Sequence, residues 1–382
     1  MFNFSKDLLS YIDNSEKDAL NLLENLAKIP APSGKEELRA NFVKDLLVSW
    51  GANQTYIDDA LNVVCPIGCD DKKDIIVFMA HTDVVFPDET ELPFSKDEKY
   101  FYCPGITDDT ACLVNLLMVV KYVLDNNLTS NYGILFVANS CEEGLGNLKG
   151  TRKIFENFGD KIKALYTFDG FYDALVNKCV GSHRYKISCT TEGGHSYGAF
   201  GNRNAIYALS NLICSLYDCK IPTNGNSKTT YNVGIIEGGT SINTIAQNAS
   251  VLYEYRSDDK SCLDYMQNFF NTRIKEAEKL GLAEIKVEKL GDRPCGGNVN
   301  QTELDKMTNL VKSVSEKHSN MPCKINSGST DCNIPMSLGI PAVCVGNCMG
   351  SGPHTREEKV EIKSIKIGLK ITAEIVLTYF NV

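Results

Sequence analysis

The stretch Ile75-Ile76-Val77-Phe78-Met79-Ala80-His81-Thr82-Asp83 runs through six apolar residues and then turns abruptly to a histidine and an aspartate. A short, unbroken apolar run is what a strand shows when both its faces are covered, since neither set of alternating side chains reaches water. Upstream, Ser33 and Glu36 stand in capping-box spacing before a stripe of Leu38, Phe42, Val43, Leu46, Leu47 and Trp50, which predicts a helix. Downstream, the pattern predicts a helix over 110–124, strands over 133–138 and 164–168, a strand over 341–345 and a last helix over 364–379. Strands alternating with helices point to an α/β fold on an open sheet.

The middle of the chain reads differently. Residues 184–191, 205–217, 231–237, 249–256, 262–279 and 284–290 run strand, helix, strand, strand, helix, strand, the order of a split βαβ (ferredoxin-like) unit. Glycines flank it, at Gly181 and at Gly296–Gly297. The expectation is an α/β domain of residues 1–182 and 298–382, interrupted by a smaller α+β domain over 183–297. No internal repeat or low-complexity tract is found.

Composition narrows the function classes. A net charge of −9 with a pI near 5.2 argues against nucleic acid or an anionic membrane surface as the main partner. The fifteen cysteines are odd in number, scattered and without a CxxC pair, which suits a reducing, cytoplasmic setting. The start of the chain shows no basic region followed by an apolar one, so no signal peptide is expected. No apolar run approaches the roughly 18 residues that span a bilayer.

Five histidines serve 382 residues. His81 lies directly after the 75–80 strand, and ligands in an open α/β sheet collect beyond the carboxyl ends of strands. A neutral imidazole binds a metal, and Asp83, two residues on, can orient it; the plainer reading is a loop histidine beside a capping aspartate. Asp108-Asp109 open a helix, where carboxylates also simply favour the positive helix end. Glu142-Glu143 follow the 133–138 strand, and adjacent carboxylates can divide labour between holding a cation and taking a proton from water. Asp169 follows the 164–168 strand, and His354 sits in the glycine-rich loop Gly350–Thr355. Each is weak alone; together they put two histidines and several carboxylates at strand ends of one sheet. That donor mixture suits zinc, with manganese or cobalt compatible by ligand type.

In this order the motifs resemble the metallopeptidase family of aminoacylase, peptidase T and acetylornithine deacetylase, over almost the whole chain. The resemblance implies an open-sheet, zinc-peptidase-like catalytic domain with an inserted dimerisation (lid) domain, and two divalent metal ions. By that likeness His81 and Asp169 hold one metal, Glu143 and His354 the other, and Asp108 bridges them across a cis peptide to Asp109. Glu142 would be the general base and Asp83 the partner of His81. Gly193-Gly194-His195-Ser196 resembles the loop whose histidine reaches a dimer partner's active site. Asn243 and Arg256 fall where the family binds substrate, and Ser327–Asp331, with Ser329 and Thr330, resembles a pocket-lining loop.

The implied activity is a metal-dependent exopeptidase of the di- or tripeptidase kind, with an N-acyl amino acid amidohydrolase as the alternative and a silent dimeric relative as a third reading. Aspartate rather than glutamate at 169 leans toward the peptidases. Thr110 stands where relatives commonly carry a lysine, so the segment around Asp108 is expected to lack a nearby cation. A dinucleotide site at Gly144–Gly150 is disfavoured by its GxGxxxG spacing and by the two glutamates just before it.

Overall fold

A computed structural model describes residues 4–69 and 74–381. The chain divides into two compact units, one running to Lys178 and resuming at Asn298, the other Cys179–Gly297.

The larger unit is built on an eight-stranded sheet. Its order is Tyr56–Ile57, Val63–Ile67, Gly133–Asn139, Ile75–His81, Ile162–Phe168, Ala342–Val345, Ala174–Cys179 and Lys324–Gly328. The four strands from Gly133–Asn139 to Ala342–Val345 are parallel neighbours. Val63–Ile67 and Ala174–Cys179 flank them in the opposite sense. Every residue of Ile75–His81 and of Gly133–Asn139 is buried, as a doubly covered strand requires. Helix Ala111–Asp125 packs on the Ile75–His81 strand and on helix Ile362–Leu377. Phe78 stacks between Phe136 and Tyr166, with ring centroids 5.7 and 5.5 Å away. Burying a side chain of this size contributes roughly 1.5–3 kcal/mol, so the sheet centre is a rigid platform. Its consequence for function is directional: parallel strands deliver their carboxyl ends, and the residues after them, to one edge of the sheet.

The smaller unit is antiparallel. Its four strands lie in the order Thr229–Gly238, Asn248–Ser257, Gly181–Thr190, Glu284–Arg293, the order a split βαβ unit produces. Along Asn248–Ser257 burial alternates residue by residue, so one face of the sheet is covered and the other is not. Tyr185, Ile187, Val251, Tyr253 and Tyr255 form the covered face, against Leu209, Leu212, Met266, Phe270 and Ile274 of helices Ala205–Tyr217 and Lys260–Leu280.

Candidate metal centre

Strand ends place the chemistry. His81 is the last residue of its strand, in register beside Asn139 of the next, and its backbone N–H donates to Asp109 Oδ2 at 3.0 Å. Its ring is fixed from both sides. Nδ1 lies 3.0 Å from the Asp83 carbonyl and 3.4 Å from Asp83 Oδ1, while Nε2 is 3.0 Å from Asp108 Oδ1. Burial alone would keep this imidazole neutral, but the charges of Asp109, Asp108 and Asp83 raise its pKa well above the ordinary value.

Asp83 is fully buried, and its carboxylate accepts from Glu142 N at 2.9 Å, Glu143 N at 2.9 Å and Ser33 Oγ at 2.6 Å. Burial pushes its pKa up; the His81 contacts and these hydrogen bonds overcome that and hold it below the ordinary range. The Cys141–Glu143 loop is gripped a second time by Glu36, whose carboxylate accepts from Cys141 N and Gly34 N, each at 2.9 Å. The expected capping box is therefore not formed. Helix Glu37–Ser49 has no side-chain cap, because the Ser33 hydroxyl and the Glu36 carboxylate are both used to fasten strand-end loops. Of the expected stripe, Val43 and Leu47 are buried, whereas Leu38 is exposed; Arg39 and Ala40 take the inward positions.

Asp108 and Asp109 lie in the kinked segment Ile106–Thr110, where both have non-helical backbone angles, and are joined by a cis peptide. Glu358, fully buried, cradles that segment: it accepts from Gly105 N (2.7 Å), Thr107 N (2.7 Å), Thr107 Oγ1 (2.5 Å) and Asp108 N (3.0 Å). Burial pushes the Glu358 carboxyl up to about 7 against those bonds. The expectation that Thr110 leaves this segment without a cation is corrected here. Arg39 Nη1 reaches Thr110 Oγ1 at 3.3 Å from a different part of the sequence.

His354, with positive φ, presents Nε2 at 3.0 Å from both Asp108 Oδ2 and Glu143 Oε1. Those two carboxylates raise its pKa to about 10. Asp169, whose N–H donates to Val345 O at 2.9 Å, is driven the other way. Burial, then the charge of Asp108, push it up to about 7.

The donors fall into overlapping groups, His81–Asp108–Asp169, Asp108–Glu143–His354 and His81–Glu142–Glu143, with the ligand atoms of each within 4.8 Å of one another. Asp108 belongs to the first two, offering one oxygen to each histidine. So many carboxylates in so small a space repel one another, which is what Asp169 registers, and the charge that relieves them is a cation. Nitrogen and carboxylate donors in two sets sharing one carboxylate fit a pair of divalent metal ions.

Other expected site residues have different partners. Thr330 donates its N–H to Asn333 Oδ1 and accepts from Cys332 N through its hydroxyl, just ahead of the short helix Asn333–Ser337; Ser329 is half-buried beside it. The next residue, Asp331, is fully buried and accepts from Asn139 Nδ2 at 2.7 Å and from Thr151 Oγ1. His195, Asn243 and Arg256 belong to the smaller unit and to none of the donor groups. His195 is exposed on the two-stranded ladder Gly194–His195/Thr244–Ile245, its Nδ1 accepting from Tyr197 N and Gly198 N. Asn243 sits across that ladder, its carbonyl accepting from Ser196 N at 2.9 Å. Arg256 makes a two-pronged pair with Glu254 of its own strand, both contacts 2.9 Å. The glycines at 146 and 150 answer local packing: a Cβ would meet Cys141 O at 2.6 Å and Ser140 O at 2.4 Å, respectively.

Residues 77–378 match the family model for "Peptidase family M20/M25/M40". Among curated proteins the chain is similar to protein YqjE of Bacillus subtilis, which is uncharacterised, at 24% identity over 80% of this chain and 81% of that one. It is also similar to the succinyl-diaminopimelate desuccinylase of Corynebacterium glutamicum, at 21% identity over 91% and 93%. Among solved structures, a tripeptidase from Staphylococcus aureus superposes with a TM-score of 0.73 at 22% identity, over 95% of this chain and 98% of that one. A metallo-carboxypeptidase from Sulfolobus solfataricus gives 0.75 at 17% identity, over 95% and 99%. These likenesses carry the fold.

Glu358→Gln would replace two acceptor oxygens with one and set an NH2 group against backbone donors. It is expected to weaken divalent-metal affinity by about 10–100-fold and stability by about 1–3 kcal/mol. Chelator competition and denaturant unfolding read the two; unchanged metal affinity contradicts the role given to the cradle.

Proposed function

The chain belongs to peptidase family M20/M25/M40, and from that premise we propose that it is a metal-dependent exopeptidase hydrolysing a terminal amide bond of small peptides. A metallohydrolase of peptide or amide bonds is what the family does; the finer reading is ours. The observation that carries it is the pair of donor groups sharing Asp108, with Glu142 in a third group beside them. His81 and Asp169 would hold one divalent cation, Glu143 and His354 the other, and Asp108 both. Zinc suits these donors best, with manganese or cobalt compatible. When bound, such a pair supplies Lewis acidity to a carbonyl and lowers the pKa of water.

The chain's own part is proton transfer and positioning. Glu142 is buried, its backbone N–H is pinned to Asp83 and its carboxylate lies in the group with His81 and Glu143; we assign that carboxylate the role of general base. It takes a proton from water as the water oxygen bonds to the carbonyl carbon, then passes that proton to the nitrogen as the C–N bond breaks. Asp83 holds the His81 ring in orientation. Ser329 and Thr330 in the larger unit are assigned to substrate binding; Asn243 and Arg256, carried by the smaller unit, are assigned the same role by the family resemblance.

We further read the chain as a cytoplasmic homodimer through the smaller unit, with His195 serving the partner's site. Thr229–Gly238 is an edge strand of that unit, and Ile235 and Ile236 on it are about half exposed. Apolar residues on a free edge favour a covering partner. All fifteen cysteines are free thiols, and no helix of the described residues is long and apolar enough to cross a membrane.

A second reading, an N-acyl amino acid amidohydrolase, is supported by the similarity to a desuccinylase. Di- and tripeptides tested beside N-acyl amino acids, with metal-reconstituted enzyme, separate the two. Peptide cleavage is expected, with Glu142→Gln retaining its metals and losing about 10²–10⁴-fold in rate. Cleavage of only the acylated set moves the assignment to the amidohydrolases, and a Glu142→Gln variant near wild-type rate removes Glu142 as the base. Sedimentation equilibrium should give twice the 42.2 kDa chain mass; a lone 42.2 kDa species contradicts the dimer.

A further inference from the structure

Arg39 is fully buried and among the largest side chains in the interior. No carboxylate of the described residues pairs with it. Its guanidinium instead spends its protons on three neutral acceptors: Nη1 on Thr82 O (2.8 Å) and Thr110 Oγ1 (3.3 Å), Nη2 on Ile29 O (2.7 Å). Nε has no partner among the described residues. Burial lowers its pKa to about 10, with the charges of Asp83 and Glu36 among those opposing, so it stays a cation at neutral pH.

A buried charge without an ion-pair partner is costly and is not kept for packing alone. The acceptors show what it does. Thr82 is the residue between His81 and Asp83, and it is also tied to Asn139 O through its own N–H and hydroxyl. Thr110 follows Asp108–Asp109 and donates its hydroxyl to Gly105 O at 2.7 Å, so the same oxygen can accept from Arg39. One rigid, planar fork thus joins the loop carrying His81 to the loop carrying Asp108, and anchors both to the end of helix Glu16–Lys28 at Ile29. A lysine ammonium, a point charge without a fixed fork, cannot span three acceptors in that geometry.

We propose that Arg39 is a positioning residue of the metal centre, a buried cation that sets the distance between the His81 and Asp108 loops and offsets the negative charge gathered there. This rests on reading the donor groups as a cation site, and the test keeps the two claims apart. Cobalt(II) is titrated into metal-free wild type, Arg39→Lys and Arg39→Met against a competing chelator, with the visible d–d spectrum and steady-state kinetics recorded on each. Wild type is expected to bind cobalt. Arg39→Met should bind it about 10–100-fold more weakly, with an altered d–d spectrum and a fall in kcat at nearly constant KM. Arg39→Lys should recover part of each. Wild type that binds no cobalt overturns the cation site itself. Wild type that binds, with Arg39→Met matching its affinity and spectrum, overturns only the role of Arg39. Should Arg39→Met fail to fold, Thr110→Val removes one acceptor without emptying the interior. It is expected to shift the spectrum and affinity in the same direction by less, and an unchanged cobalt site there overturns the proposal.

Discussion

Asp83 is fully buried, so its carboxylate must be solvated by the protein. It gets two backbone N–H groups from Glu142 and Glu143, a hydroxyl from Ser33 and the edge of the His81 ring. Charge-assisted hydrogen bonds of this kind are short and directional. The requirement therefore fixes three separate pieces of chain at once: the end of the Ile75–His81 strand, the loop after Gly133–Asn139, and the entry to helix Glu37–Ser49. Everything proposed for the site depends on that arrangement. If the Cys141–Glu143 loop slipped, Glu143 would leave His354 and Glu142 would leave the neighbourhood of His81.

Around this anchor the chain has gathered more anionic groups than a folded interior tolerates unaided. Burial, and then their mutual repulsion, raises the pKa of Asp169, and their attraction raises that of His354. The protein answers in part with its own groups. Glu358 is solvated by backbone donors of the Gly105–Asp108 turn, and Arg39 brings in a positive charge from behind. What these do not neutralise is left for divalent cations, so folding and metal binding draw on the same electrostatics. The rigid parallel sheet matters because it fixes the starting points of all these loops.

Much of this was legible in the sequence, and the reason is locality. The unbroken apolar run at 75–80 depends on neighbours two residues away, so it announces a covered strand directly. His81, Glu142, Glu143 and Asp169 could be picked out because they follow apolar strands. The misreadings have the opposite character. Ser33 and Glu36 carry the spacing of a capping box, yet their partners lie 50 and 105 residues away at Asp83 and Cys141. Thr110 looked bare because its cation comes from Arg39, 71 positions earlier. Glu358 was passed over, and Asp331 was read only as the end of a pocket-lining loop, for the same reason. Their donors, at Gly105–Asp108 and at Asn139 and Thr151, meet them only in three dimensions.

The central claim is that Asp108 sits between two cation sites, one shared with His81 and Asp169 and the other with Glu143 and His354. Anomalous diffraction at the zinc edge, from crystals of the zinc-loaded protein, tests it most directly. The account predicts two peaks, one on either side of the Asp108 carboxylate and each beside its named histidine. A single peak, or peaks away from Asp108, would contradict it.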